Sequence, residues 1–261
     1  MSDETLTSSK PPARKPRKKL SRNLLLKKMP MLNLPRYLRQ KKEWLEKGGK
    51  ITRRYRILTD YADSAGAAKG HYYHQDLLVA GFIATANPQR HIDIGSRIDG
   101  FVAHVASYRK IEVFDIRALD ESRHSNIKFV QKDLMDHNDD SITDSISCLH
   151  AIEHFGLGRY GDPIDPQGHF KGVKNIVRML KPGGTLYISF PIGFADAVHF
   201  NAHRVFHPES IFEWEGIKEQ FELQRFDWVD ATGEINMNAN VKDAVDGVKY
   251  GCGIYTFKKH D

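Results

Sequence analysis

From residue 73 onward the apolar and polar positions change period several times. Leu77, Leu78, Ala80, Gly81, Ile83 and Ala84 are spaced as a buried helix, which Asn87-Pro88 stops. Beyond it, short apolar runs read as strands at 91–94, 111–115, 127–131, 144–149, 185–190, 221–229 and 249–257. Helical spacing occupies 99–108, with Phe101, Val102, Val105 and Ala106 on one side, then 170–180 and 208–217. Lys181-Pro182-Gly183-Gly184 closes the second of these. This alternation predicts a mostly parallel sheet covered on both faces, with any ligand at the carboxyl ends of its strands. The polar stretch 230–247 has no strong helix period, so the last two strands are expected to form a hairpin and an antiparallel edge.

Ahead of residue 71 the pattern is different. Residues 1–22 carry KPPARKPRKK, where proline and like charge together oppose a packed core, so a disordered basic tail is expected. Residues 23–70 read as a basic helical extension, with a short helix over 36–47 stopped by Gly48-Gly49, and 71–261 as the main domain. Charge sharpens this division. Residues 1–56 hold 18 lysines and arginines against 4 acids, and the remainder holds 21 against 29, so the overall +6 is a basic arm on an acidic body. Such an arm suits contact with an anionic surface, or a solvated tail with a helix packed on the body. No nucleic-acid-binding module is recognisable, and no apolar run reaches the ~20 residues of a membrane span. The start MSDET lacks the apolar core of a secretory signal. Cys148 and Cys252, the only cysteines, lie in apolar strand-like stretches, so a reducing, cytoplasmic setting and buried thiols are expected.

Chemistry concentrates first in HIDIGSRIDG, residues 91–100. A strand running into a glycine turn is how a nucleotide-type site opens, yet only Gly95 and Gly100 stand where a dinucleotide fingerprint needs three glycines. Asp93 and Asp99 would repel a pyrophosphate and tolerate a cofactor that brings positive charge. S-adenosylmethionine is such a cofactor, with a sulfonium, an ammonium and no phosphate. Asp93 would pair with the ammonium directly or through water, Gly95 would let backbone approach the ligand with Ser96 beside it in the cofactor-binding turn, and Asp99 would cap the following helix. Asp115, ending IEVFD, would accept both ribose hydroxyls, and Asp133 would either accept from the adenine amino group or fix a turn.

Asp93-Ile94-Gly95, Asp115, Asp133, the strand TDSISCLHAIEH and the segment MLKPGGTLYISFP together resemble the class I S-adenosylmethionine-dependent methyltransferases over residues 91–191. HIDIGSR, CLHAIEHFGLGRYGDPIDP and FNAHRVFHP resemble the uncharacterised family called domain of unknown function 268. The superfamily implies an α/β, Rossmann-like three-layer sandwich with seven strands in the order 3-2-1-4-5-7-6, the seventh antiparallel. On that order one strand separates Cys148 from Cys252, which argues against a disulfide. Arg97 and Asp99 depart from the superfamily's glycine-rich first motif, where their side chains would crowd the cofactor or reach the substrate.

Methyl transfer needs an aligned acceptor and, for an alcohol or phenol, a base. His150, Glu153 and His154 follow the fourth strand; His150 is expected near the cofactor, with Glu153 and His154 as catalytic groups or loop-fixing ones. Arg159, Tyr160, Asp162 and Asp165 of the glycine-rich stretch offer polar groups to a substrate. In FNAHRVFHPES, His203 would serve as base, and Asn201 and Arg204 would hold the acceptor, Arg204 by a forked grip on an anion; structural hydrogen bonding is the alternative for His203 and Arg204. Asp162, Asp165, His169, His199 and His203 suit a metal but match no metal-binding spacing, so none is expected. These residues point to methyl transfer onto a small or carbohydrate-like polar acceptor. The alternatives are a catalytically silent fold acting through its basic arm and, opposed by the broken fingerprint, a nicotinamide-dependent oxidoreductase.

Overall fold

The structure, a computed structural model, describes residues 29–119, 122–136 and 138–261. The tail expected over 1–22 lies outside the described residues, as do residues 23–28 of the extension. The chain divides into two compact units, Met1–Ala67 and Ala68–Asp261.

In the first unit, helix α1 (Leu34–Glu46) begins with Pro35 in its first turn and ends before Gly48, whose φ is +83°. Asn33 donates to the Leu58 carbonyl at 2.9 Å, and the Arg36 guanidinium lies 4.2 Å from the Tyr61 ring centre. Leu38, Trp44 and Leu45 of α1 are exposed.

In the second unit, helix α2 (His71–Ala86) ends at Asn87, whose left-handed backbone closes it before Pro88. The strands follow: β1 (His91–Ile94), β2 (Ile111–Asp115), β3 (Ile127–Gln131), β4 (Thr143–Leu149), β5 (Leu180–Gly193), the hairpin β6 (Ala197–His199) and β7 (His203–Val205), β8 (Phe221–Val229), β9 (Ile235–Asn236) and β10 (Tyr250–Lys259). Helices α3 (Ala103–Ala106), α4 (Gly168–Met179), α5 (Ile217–Gln220) and α6 (Val241–Gly247) join them. The main sheet has the order β3-β2-β1-β4-β5-β10-β8-β9. Its first five strands are parallel, and β10 runs antiparallel between β5 and β8. This is the strand order that the family resemblance implies, with one addition: the seven-stranded expectation is exceeded by β9, a two-residue strand at the edge beside β8.

Period-2 side-chain alternation gives the sheet two separate cores. Ile92, Ile94, Ile146, Ile188 and Phe190 pack with α4 residues Val173, Ile176 and Val177. On the other face Val79, Ala80 and Ile83 of α2 pack with Phe101, Val105, Val113 and Ile254. Both cysteines are buried and free; Cys148 pairs in register with Ile188 on one side of β5, and Cys252 with Pro191 on the other.

Three expected elements differ. The helix expected over 99–108 is regular only in α3, because Gly100 breaks helical geometry (φ −118°, ψ −113°). The helix expected over 208–217 is a short 3-10 turn, Ser210–Glu213, then α5, with Gly216 at φ +87° between them. The polar stretch 230–247 contains β9 and α6, and Asn240 caps α6 by accepting from the Lys242 amide at 3.0 Å while Asp243 accepts from the Asn240 amide.

Candidate active site

Strands β1 to β4 end at the same edge of the sheet, and a cavity of about 420 Å³ opens there. Its lining includes Gly95, Ser96, Asp115, Asp133 and His150, brought together from the four strand ends. The turn after β1 needs glycine. Gly95 has φ +72°, and a Cβ there would stand 2.9 Å from that of Ala151.

Asp93 lies beneath this turn and outside the cavity lining, fully buried. Register explains its partners. His91 faces Ser145 and Asp93 faces Ser147 across the β1–β4 pair. His91 therefore bonds both serines, at 2.8 and 3.1 Å, and Ser147 donates onward to Asp93 at 2.5 Å. The Ser96 amide and hydroxyl complete the set at 3.1 and 2.8 Å. Burial pushes the Asp93 pKa up to about 7 against the bonds from Ser147 and Ser96, and burial drives that of His91 down to about 3. The expected direct contact of Asp93 with an ammonium is thus corrected: its oxygens already serve the turn.

Asp115 does face the cavity, clasped by the Arg117 guanidinium through both oxygens and by the Arg117 amide at 2.8 Å. Arg117 in turn lies 4.6 Å from the Tyr160 ring centre, bridging β2 to the glycine-rich stretch. Asp133 accepts from the Met135 amide at 2.8 Å, and Ile116, Leu134 and Met135 add apolar cover beside it. Arg97 and Asp99 pair with each other at 2.8 Å, both exposed; Asp99 makes no side-chain cap for a helix here. Arg97 lines the cavity and Asp99 does not.

The opposite wall is residues 150–165. His150 takes φ +50°, a left-handed backbone costly for a non-glycine residue. Its Nδ1 lies 2.8 Å from Oε1 of the buried Glu153. Burial pulls the His150 pKa down, but the neighbouring Glu153 carboxylate and Cys252 side chain outweigh it and raise it well above the ordinary imidazole range. His154 lines the cavity; its Nδ1 donates to the Ala202 carbonyl at 2.8 Å, so its Nε2, 3.7 Å from Glu153, is the unprotonated nitrogen. Burial lowers the His154 pKa.

Arg159, Tyr160 and Asp162 line the cavity as well. Arg159 also donates to Ala202 at 2.8 Å, and Asp162 accepts from the Gly158 and Tyr160 amides, both at 3.1 Å. Asp165 is turned away and holds Lys171 at 2.6 Å. Gly156 is obligatory in this loop, since a Cβ would meet the Asp165 carbonyl at 2.0 Å.

Arg204 is the clearest correction. It is 4 % exposed, and its guanidinium donates to the carbonyls of Glu153, Phe155 and Pro166 at 3.3, 2.6 and 3.3 Å. It therefore staples the loop and holds no acceptor. Asn201 is exposed in the β6–β7 turn, and neither it nor His203 lines the cavity. His203 lies behind His154, ring centres 6.5 Å apart, with burial lowering its pKa. The sequence reading missed Tyr72, Arg117 and Lys132 in the lining, and His71 beside His150. The dense HYYHQD at the start of α2 was the available signal for Tyr72 and His71.

Comparison with known proteins agrees with this fold. The family described as "Caenorhabditis protein of unknown function, DUF268" matches residues 110–240. No functionally curated protein matches the chain. Among solved structures, N-methyltransferase NodS from Bradyrhizobium japonicum WM9, in complex with S-adenosyl-L-homocysteine, is 13% identical with a TM-score of 0.50, over 74% of this chain and 89% of that one. Coclaurine N-methyltransferase, bound to N-methylheliamine and S-adenosylhomocysteine, is 10% identical with a TM-score of 0.50, over 80% of this chain and 76% of that one.

Proposed function

The chain belongs to the DUF268 family, and on that footing we propose that it is an S-adenosylmethionine-dependent methyltransferase acting on a small, polar, carbohydrate-like acceptor. The observation that carries this reading is the cavity, where Gly95, Asp115 and Asp133 converge at the ends of β1, β2 and β3. The donor set fits the cofactor: a side-chain-free turn, a carboxylate for ribose hydroxyls, and an acid with apolar neighbours for adenine. It fits a dinucleotide poorly, because the turn lacks the glycines that cradle pyrophosphate. Both similar structures contain S-adenosylhomocysteine, which supports the same choice.

When bound, the cofactor supplies an electrophilic methyl group on a sulfonium. The chain's own residues do the rest. Asp115 and Asp133 hold the nucleoside end; Arg117 must yield part of its hold on Asp115 for the ribose to bind. His154 Nε2 takes the proton of the acceptor hydroxyl, because Nδ1 is committed to Ala202 and a lowered pKa keeps the ring neutral. Glu153, 3.7 Å from that nitrogen, stabilises the imidazolium that results. Arg159, Tyr160 and Asp162 supply donors and acceptors for a hydroxylated substrate. Transfer of tritiated methyl from S-adenosylmethionine to a panel of hydroxylated and anionic small molecules tests the reading. Labelling that falls in Asp115→Ala at limiting cofactor concentration is expected; no labelling across the panel would count against the proposed acceptor class.

A further inference from the structure

One cluster beside the cavity has no part in the steps above. His71, at the first residue of α2, His150, after β4, and Cys252, in β10, bring one nitrogen each and the Sγ within 4.8 Å of one another. Three distant segments of chain therefore place two imidazoles and a thiol at one point. The His150 side chain is 6 % exposed, and its Nε2 finds no hydrogen-bond partner among the described residues. A buried, unpaired ring nitrogen is costly unless something occupies it. Its other nitrogen, Nδ1, is fixed at 2.8 Å from the Glu153 carboxylate. A carboxylate on the far nitrogen is the arrangement that orients a metal-binding histidine and raises its basicity. Apart from the neighbouring His150 ring, the Cys252 thiol has only long contacts, 3.8 Å to Gln75 Oε1 and 3.6 Å to the Gly253 carbonyl.

We propose that His71, His150 through Nε2, and Cys252 bind a thiophilic divalent cation of the zinc class, with Glu153 positioning His150. Two imidazoles and one thiolate suit zinc, and three protein ligands leave a fourth position for water or a substrate atom. Zinc bonds of about 2.0 Å to nitrogen and 2.3 Å to sulfur bring neighbouring donors closer than they stand here, so the cluster closes by about an ångström on binding. The His71 ring, stacked 5.3 Å from that of His150 and half-buried, is free to make that movement. Binding releases the thiol proton and the Nε2 proton of the His150 imidazolium, so affinity falls as pH is lowered. On the methyltransferase reading, on which this consequence rests, a cation held by His150, itself part of the cavity lining, would polarise the acceptor's oxygen.

The test uses the full-length protein, stripped with chelator and titrated separately with Zn2+ against a chromophoric competitor and with Co2+ followed by absorption. The expected result is one equivalent of metal per chain and a thiolate-to-cobalt charge-transfer band. Cys252→Ser removes the band, and His150→Ala and His71→Ala each weaken binding. Glu153→Gln, which keeps the shape, weakens Zn2+ binding about 10- to 100-fold. Near-ultraviolet circular dichroism identifies any variant that fails to fold, and the remaining variants then carry the test. Absence of the band in the unaltered protein, or Zn2+ binding unchanged in Cys252→Ser and His71→Ala, overturns the proposal. S-adenosylhomocysteine binding without metal binding would overturn this site alone; metal binding without the nucleoside would overturn only the cofactor reading.

Discussion

At the ends of β1, β2 and β3 each acid is held by a group two or three positions away, with Ser147 of β4 adding one bond to Asp93 from across the strand pair. Asp93 is held by Ser96, Asp115 by Arg117, and Asp133 by the Met135 amide. The facing wall is held from far along the chain. His154 and Arg159 lean on Ala202, 48 and 43 positions away, and Arg204 reaches back 51 positions to Glu153. One half of the cavity is thus a set of local turns on a rigid sheet. The other is a loop whose shape depends on the β6–β7 hairpin. The nucleoside half should tolerate damage to the loop, and the acceptor half should not.

The largest test of that division is His154→Ala. Loss of a positioned base should slow methyl transfer about 100- to 10,000-fold while S-adenosylhomocysteine affinity stays unchanged. Calorimetry and turnover measured together would expose a purely structural role, which would lower both. In the unaltered protein the acid limb of the rate profile should lie below 6.5, the ordinary imidazole value, because burial lowers the His154 pKa.

Asp93 probes the rigid half. Its pKa rises on folding from 3.8 to about 7, so the folded chain holds that proton more tightly than the unfolded one. Its contribution is fully present below pH 3.8 and is lost as pH rises to about 7. At about 1.4 kcal/mol per unit, the loss reaches about 4 kcal/mol. Asp93→Asn should remove this component, seen as the difference between the urea-unfolding pH profiles of the two proteins from pH 4 to 8. Parallel profiles would mean that Asp93 ionises normally.

Arg204→Met should separate the halves by stability. Three carbonyls lose a charged donor, which costs about 3 kcal/mol given about 1.5–3 per such bond. The urea midpoint should fall and turnover with it, with nucleoside affinity within a few-fold of the original. A large drop in that affinity would show that the loop also builds the nucleoside half. The smallest effect is that of Asp115→Ala, which should weaken S-adenosylhomocysteine binding by about 1–3 kcal/mol, the scale of a lost charged hydrogen bond.

The same division explains what could be read from the residues alone. The parallel strands and their order followed from apolar runs and a family resemblance, because buried strands carry their own signal. The acids at the strand ends were visible because position after a strand fixes where a side chain arrives. Arg204 was left open between an anion grip and a structural bond, because a lone arginine near a presumed mouth gives no sign that three carbonyls surround it. Asp93 was half-read, since its serine partner at 147 becomes a neighbour only through the β1–β4 register. The loop's partners around Ala202 and the meeting of His71 with His150 and Cys252 depend on tertiary contact, which no local spacing encodes.

The central claim is that the cavity at the ends of β1 to β4 takes a sulfonium nucleoside. Calorimetric titration of the full-length protein with S-adenosylmethionine, S-adenosylhomocysteine and NADH tests it most directly. The account predicts saturable binding of the first two at one site per chain and no heat from NADH. Binding of NADH, or of none of the three, would contradict it.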